Sequence, residues 1–304
     1  MEALSAFFHQ NFPAAVREEA VIRQILSRPD MKLFFHREDG QIIGAAAVQG
    51  DTLYLLAVDQ DYRRRGIGSL LLSQAEGYIR SQGHSRIRIG AGDTYLTPGV
   101  PVRTSPAPGN PDYENLHPAL EDTSWEFFKR RGYIHSWGDC SCFDMSMSLA
   151  SYPHYPHVIG EMIGDITYRW ATPDDLMGIS ACTDAAQQSF TALYQTPDLY
   201  DPASPRKVLL AQSPKRICGV LQVSDSIEAP LLGSIGCTAV HPDDQGRHIA
   251  VNLVMLATGY LKSLGLPRAY LGYTYSGLEY LYGKAGYRIC CYYAMAEKSL
   301  TDKT

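Results

Sequence analysis

What this sequence lacks narrows its class first. No apolar run approaches the roughly 18 to 20 residues of a membrane span. Strong charge of one sign is missing as well. With 304 residues and a net charge of −5, the chain has no overall basic field to draw it to nucleic acid or anionic lipid. The opening residues MEALSAFFHQNF have neither the basic nor the long apolar region of a signal peptide, and a cytoplasmic protein is expected. Paired metal-ligand spacing is also absent. The seven cysteines stand at 140, 142, 182, 218, 237, 290 and 291, and the pairs Cys140/Cys142 and Cys290/Cys291 fall in strand-like apolar stretches that suit reduced packing residues. His154 and His157 fit a proline-punctuated linker better than a ligand pair, so no metal is expected. A P-loop would need a lysine and Ser/Thr after its last glycine, and a dinucleotide fold would need G-x-G-x-x-G; neither is present.

What is there belongs to a globular protein. A 45% hydrophobic and 19% charged composition supports an ample core, and the length is about twice a typical domain, which suggests two. The chain is organised around LYLLAVDQDYRRRGIGSLLLSQAEGYI, Leu53 to Ile79. Leu53 to Val58 has the length of a buried strand, and apolar residues recur at helical spacing from Ile67. Between them Gly66 and Gly68 fall at the helix start, where free N–H groups and the helix dipole favour an anion. Arg63, Arg64 and Arg65 add positive charge on the approach. Taken alone, this stretch could equally be a tight turn with a solvated basic face.

In chain order, the first 30 residues read as helical segments interrupted by Pro13 and stopped by Pro29. A β-hairpin follows around Glu38-Asp39-Gly40. After the central stretch comes the strand SRIRIG, and a strand–helix–strand order implies a right-handed parallel crossover. From Gly92 to about Leu120 the chain is rich in proline and glycine without any period, a long insertion of a functional or disordered kind. Helical spacing resumes at Thr123 to Arg131 and Gly132 ends it. Ser151 to Gly160 reads as a linker. The second half opens with the strand ITYRWA and a helix start at Thr172-Pro173-Asp174-Asp175, with a helix expected over Asp174 to Tyr194.

The central pattern then returns. Arg63 aligns with Gln245, 182 residues on, and the same offset carries Val58 to Val240, Gly68 to Ala250 and Gly83 to Gly265. Gly132-Tyr133 matches Gly286-Tyr287 at an offset of 154. The first copy is therefore longer after its second strand, where the unperiodic insertion lies. A strand ending Leu56-Ala57-Val58, then Arg63-x-x-Gly66-x-Gly68, an amphipathic helix, a second strand and a short aromatic helix closed by Gly132-Tyr133 resemble the GNAT superfamily of acyl-CoA-dependent N-acyltransferases. With both halves matching, the chain resembles a tandem GNAT protein.

That resemblance implies an α/β (α+β) fold of two GNAT-like domains. Each would have a mixed, mostly antiparallel sheet, a splayed parallel central strand pair and flanking helices. The expected division is 1–150 with the insertion 92–120, a linker 151–160, and 161–304. It implies acetyl-CoA, or another acyl-CoA, as cofactor. Leu56, Ala57 and Val58 would lie along pantetheine and Arg63, Arg64, Arg65, Gly66, Ile67, Gly68 and Ser69 around pyrophosphate. Thr238 and Val240, with Gln245, Gly246, Arg247, His248, Ile249 and Ala250, match them in the second copy. The family's tyrosine acid is Phe128 in the first copy and Tyr282 in the second, while the second copy has His248 where the first has Gly66. A phenyl ring cannot protonate a thiolate, so Tyr282 is the expected catalytic acid, with packing in the core as its alternative role. Neither fourth strand carries Glu or Asp, so no base is named. Tyr95, Asp112 and Tyr113, in the insertion, are expected to border the site of a small-molecule or peptide amine. A monomer or homodimer is expected, and a non-catalytic acyl-CoA sensor is the rival reading.

Overall fold

The computed structural model describes residues 2–12, 19–90, 96, 99–102, 123–136, 142–227, 232–275 and 277–301. It divides into two compact units, Met1–Phe143 with Cys290–Thr304, and Asp144–Ile289. This differs from the division expected at 150–161. Residues 144–150 and the segment 151–160 belong to the second unit, and the last 15 residues belong to the first. No helix among the described residues is long and apolar enough to cross a membrane.

In the first unit β1 (Lys32–Glu38), β2 (Gln41–Gln49) and β3 (Thr52–Val58) form an antiparallel meander. β3 then pairs in parallel with β4 (Arg86–Ile89) through Thr52↔Arg88 and Leu53↔Ile89. The chain's last strand, Ala296–Ser299, pairs antiparallel with β4 and with β6 (Ile134–His135), and β5 (Val100–Val102) pairs with residues 292–294. Sheet order thus begins at β1, and among the described residues no strand replaces the missing first one. The centre of β2, GAAAV, is buried on both faces because its side chains are small. Ala46 and Val48 join a core with helix Ile67–Ser81, while Ala45 and Ala47 join one with helices Glu2–Asn11 and Glu19–Leu26. Gly44 permits close approach of that first helix, since a Cβ there would meet Ile67 at 2.9 Å and Leu71 at 3.0 Å.

The second unit contains most of β7 (Cys142–Ser148), then β8 (Met162–Ile163), β9 (Ile166–Trp170), β10 (Arg206–Gln212), β11 (Ile217–Ile227), β12 (Leu232–Val240) and β13 (Arg268–Tyr275). Its strands run in the order β7-β13-β12-β11-β10-β9-β8; β12 and β13 pair in parallel, and the pairs from β12 through β11, β10 and β9 to β8 are antiparallel. Helix Ile249–Ser263 repeats the close approach: a Cβ on Gly219 would meet Ile249 at 2.6 Å and Leu253 at 3.1 Å. The opposite face is covered by helix Leu176–Gln187. The helix expected to reach Tyr194 breaks into a 3-10 turn at Gln188–Phe190. There the Thr191 hydroxyl donates to Asp184 at 2.5 Å, and such local side-chain bonds compete with helix continuation.

The helix start at Thr172 is a capping box whose carboxylate also holds a neighbour strand. Asp175 accepts from the Thr172 amide at 2.8 Å and from both ends of the Arg169 guanidinium at 2.8 and 2.7 Å. The hydrogen bonds from Arg169 hold its carboxyl at about 2, below the ordinary carboxylate range. Its folded pKa is therefore depressed, so its contribution is present above about pH 4 and disappears as pH falls toward 2. Asp175→Asn should cost about 2 kcal/mol at neutral pH and flatten that acid limb. Thermal melts from pH 7 down to 3 would show it, and identical pH dependence of parent and variant would contradict it.

Candidate functional site

Each unit carries the strand, turn and helix read from the sequence, and the two turns share one backbone. Each strand leads into a single 3-10 turn, Gln60–Tyr62 or Pro242–Asp244, capped by Asp59 or His241. Two left-handed residues follow. They are Arg64 (φ 65°) and Gly66 (φ 84°) in the first unit, and Gly246 (φ 78°) and His248 (φ 61°) in the second. Glycine and side chain have exchanged positions while the path is kept, and the His248 side chain is exposed. The first intrahelical bonds run from Leu70 to Gly66 and from Asn252 to His248, both 3.0 Å. The amides of Ile67, Gly68 and Ser69, and of Ile249, Ala250 and Val251, precede them at the positive helix end. A Cβ on Gly68 would touch Phe127 and Val58 at an ordinary 3.5 Å, so Ala250 fits the same place.

Charge separates the two turns. In the first, Arg63 donates to the Val58 carbonyl at 3.0 Å, and Arg65 stacks over Tyr62 at 4.8 Å while donating to the Asp61 carbonyl. These partners are neutral, so both guanidinium charges stay available. Arg131 adds another cation: it donates to Ser69 Oγ at 2.6 Å and lies 3.7 Å over the Phe127 ring. In the second turn Arg247 is ion-paired to Asp244 at 2.7 Å and Asp165 at 2.5 Å. Arg216 there faces Asp243 at 2.9 Å. A phosphate meets a stronger positive field at the first turn.

Polar chemistry at the strand gap shows the reverse. The registers of β3 with β4 and of β12 with β13 end at Leu53↔Ile89 and Ser234↔Tyr270; β4 stops there, whereas β3, β12 and β13 run on to Val58, Val240 and Tyr275. In β12 one extra residue intervenes between the pairs Gln222↔Gly236 and Val220↔Ala239, and Cys237 takes a left-handed φ of 50°. The buried Tyr194 hydroxyl donates to the Cys237 carbonyl at 2.5 Å. Immediately beyond, the Tyr282 hydroxyl donates to Thr238 Oγ1 at 3.3 Å. Burial raises the Tyr282 phenol above its ordinary value, against a lowering by Thr238, so it carries its proton at neutral pH. Burial also pushes the Cys237 thiol up to about 11, which leaves it a poor nucleophile.

The first unit replaces both hydroxyls with hydrocarbon. Leu56 stands for Thr238 and Phe128 for Tyr282, and both belong to one apolar cluster with Tyr133. Its bulge falls at Tyr54, between Leu53↔Val48 and Leu55↔Ala47, one position earlier than in the second copy and without a left-handed residue there. Other parts repeat: Tyr133 donates to Glu76 at 2.9 Å and Tyr287 meets Thr258 at 3.2 Å.

Of the expected cofactor residues, Leu56 and Val58 pack on the core beside helix Ile67–Ser81, whereas Ala57 faces the N-terminal helices. Thr238 and Val240 are half-buried on β12, with Ala239 facing the opposite core. Tyr95, Asp112 and Tyr113 lie outside the described residues. Sequence reading missed Arg131 and Tyr194. Arg131 was legible as a basic residue beside the closing Gly132, whereas Tyr194 meets a partner 43 positions away and left no local signal. Residues 152–159, expected to be a linker, instead bind helix Ile249–Ser263 through Tyr152 to the Met255 carbonyl at 2.6 Å and Tyr155 to Asn252 at 2.8 Å. Two clefts of about 530 and 430 Å³ line this strap, bordered by Tyr152, Tyr155, Leu256 and Lys262 and by His157, Arg247 and Asn252 respectively.

Residues 2–97 match the family model of the acetyltransferase (GNAT) domain. Among curated proteins no sequence match was found. Solved structures resemble the whole chain. A GCN5-related glucosamine N-acetyltransferase region of a fungal multi-domain GH3 β-N-acetylglucosaminidase superposes with a TM-score of 0.73 at 21% identity, over 97% of this chain and 36% of that one. This chain therefore spans about a third of that protein. A tandem GNAT protein from the clavulanic acid biosynthesis pathway gives 0.71 at 14% identity over 99% and 96% of the two chains. A GCN5-related N-acetyltransferase from Sphaerobacter thermophilus gives 0.65 at 19%, over 99% and 93%. Residues 2–97 thus match a GNAT acetyltransferase domain, and in fold the whole chain is similar to a tandem GNAT protein.

Proposed function

We propose that this protein is an N-acyltransferase that moves an acetyl group from acetyl-CoA to a primary amine, with the second unit as its catalytic domain. The observation that carries this reading is the Tyr282–Thr238 hydroxyl pair beside the bulged β12, against Leu56 and Phe128 at the same positions of the first unit. The amine nitrogen attacks the thioester carbonyl, and bulged backbone amides offer hydrogen bonds to the oxyanion. On collapse the C–S bond breaks, and the departing thiolate takes the Tyr282 proton. The amine's surplus proton leaves to water. Pantetheine would run along Thr238 and Val240, and pyrophosphate would sit on the amides of Ile249 to Val251. The family supports an amine acceptor. The fungal relative's glucosamine activity makes amino sugars a sensible first group in a panel that also includes peptides.

A second reading is favoured by the charge of the first turn. There Arg63, Arg65 and Arg131 surround a helix start without an acid, which suits a domain that binds acyl-CoA and does not turn it over. Calorimetric stoichiometry with acetyl-CoA separates the two. Gly246→Glu should remove the catalytic site, and Gly66→Glu the second one, each by placing a carboxylate where phosphate belongs. Loss of turnover on Gly66→Glu, with Gly246→Glu fully active, would transfer catalysis to the first unit.

A further inference from the structure

The gap in the second unit has two walls, and each bends at the same depth. Cys237 lies three residues beyond Ser234 and Tyr273 three beyond Tyr270, the last pair in the β12–β13 register. Both are non-glycine residues in the left-handed region, at φ 50° and 58°, and few side chains adopt that conformation without something to hold it. The β12 bend is held by the Tyr194 hydroxyl on the Cys237 carbonyl. On β13 the holder is Asp144, 1% exposed. Its Oδ1 accepts from the Tyr273 amide at 2.7 Å, and its Oδ2 accepts from the Tyr270 hydroxyl.

We propose that Asp144 is a positioning residue that fixes the width of the acyl-CoA gap and thereby selects the acyl chain. The carboxylate grips β13 at two points: the residue where it leaves β12 and the residue where it turns. An amide withdrawn from water needs an acceptor. A carboxylate supplies that acceptor with a charge-assisted bond. Without it β13 loses both of these anchors to Asp144 and is freed to straighten, which changes the spacing to β12. Thr274 is buried and Tyr275 packs edge-on to Tyr273 at 5.2 Å, so a movement at 273 carries its neighbours along the gap.

This inference rests on the second unit's gap holding the acyl-CoA. The test uses the full chain and calorimetric dissociation constants for acetyl-CoA and hexanoyl-CoA, which need no knowledge of the acceptor. Asp144→Ala should shift the ratio of the two constants by about tenfold or more. Asp144→Asn, which keeps an oxygen for the Tyr273 amide, should stay within about 1.5-fold of the parent. If the alanine variant does not fold, Tyr270→Phe removes one gripped hydroxyl and should shift the ratio by about threefold. An unchanged ratio in whichever of these variants folds overturns the role of Asp144. Gly246→Glu distinguishes the two levels. If it binds acyl-CoA with the parent's stoichiometry, the second-unit reading falls and this inference with it; reduced stoichiometry with an unchanged Asp144 ratio removes this inference alone.

Discussion

Tyr282→Phe is expected to lower turnover about 100-fold while acetyl-CoA affinity stays within about twofold. The substitution removes one hydroxyl from a buried ring and leaves its edge-on contact with Tyr287 at 6.3 Å, so the fold has little reason to change. What is lost is the proton for the departing thiolate. Because burial raises the phenol, the parent's rate should hold through ordinary alkaline pH and fall only beyond the range where an exposed tyrosine titrates, as the acid is finally consumed. The variant should lack that alkaline limb. Steady-state rates across pH 7 to 11, with affinity measured separately, decide the matter. A variant as fast as the parent would return Tyr282 to a packing role.

The second large effect is structural. Ending the chain after Ile289 should unfold the first unit. That segment supplies the strand Ala296–Ser299 between β4 and β6, and it places Ala294, Ala296 and Leu300 in the core around helix Ile67–Ser81. It also carries Lys298, whose ammonium contacts both oxygens of Glu76 at 2.9 and 3.0 Å, and the Leu300 carbonyl, which accepts from Arg80 at 3.1 Å. Losing these exposes a strand edge and a buried face together. Leu300→Ala alone should cost about 2 to 4 kcal/mol. Limited proteolysis of the truncated chain should digest residues 1–143 first, and a first unit as resistant as in the full chain would contradict this.

How much of this was legible in the sequence follows the range of the interactions. The strand, turn and helix are local patterns, and their recurrence 182 residues later made the fold class readable without any contact information. The exchange of glycine between the turns was almost in view: Gly246 aligns with Arg64 and His248 with Gly66, but only dihedral angles show that both members of each pair are left-handed. Long-range pairings were not readable. Nothing in AMAEKSL says that it sits beside RIRI, more than 200 residues earlier, so a boundary placed by a linker does not anticipate residues 290–304 joining the first unit. Asp144 likewise carries no local signal, since Tyr270 and Tyr273 lie 126 and 129 positions away. Tyr282 is legible because it lies in a short aromatic helix closed by Gly286, whereas the hydroxyl of Thr238 meets it from 44 positions away.

The strand Ala296–Ser299 also has a consequence for synthesis. At roughly 5 to 20 residues per second, the ribosome needs on the order of 10 to 30 seconds to travel from residue 143 to residue 299. Throughout that interval β4 waits with an open edge and Ile87 and Ile89 lack the neighbour that will cover them. The half of the protein made first is thus the last to be finished, and for that time a nascent-chain chaperone has a defined binding opportunity on it.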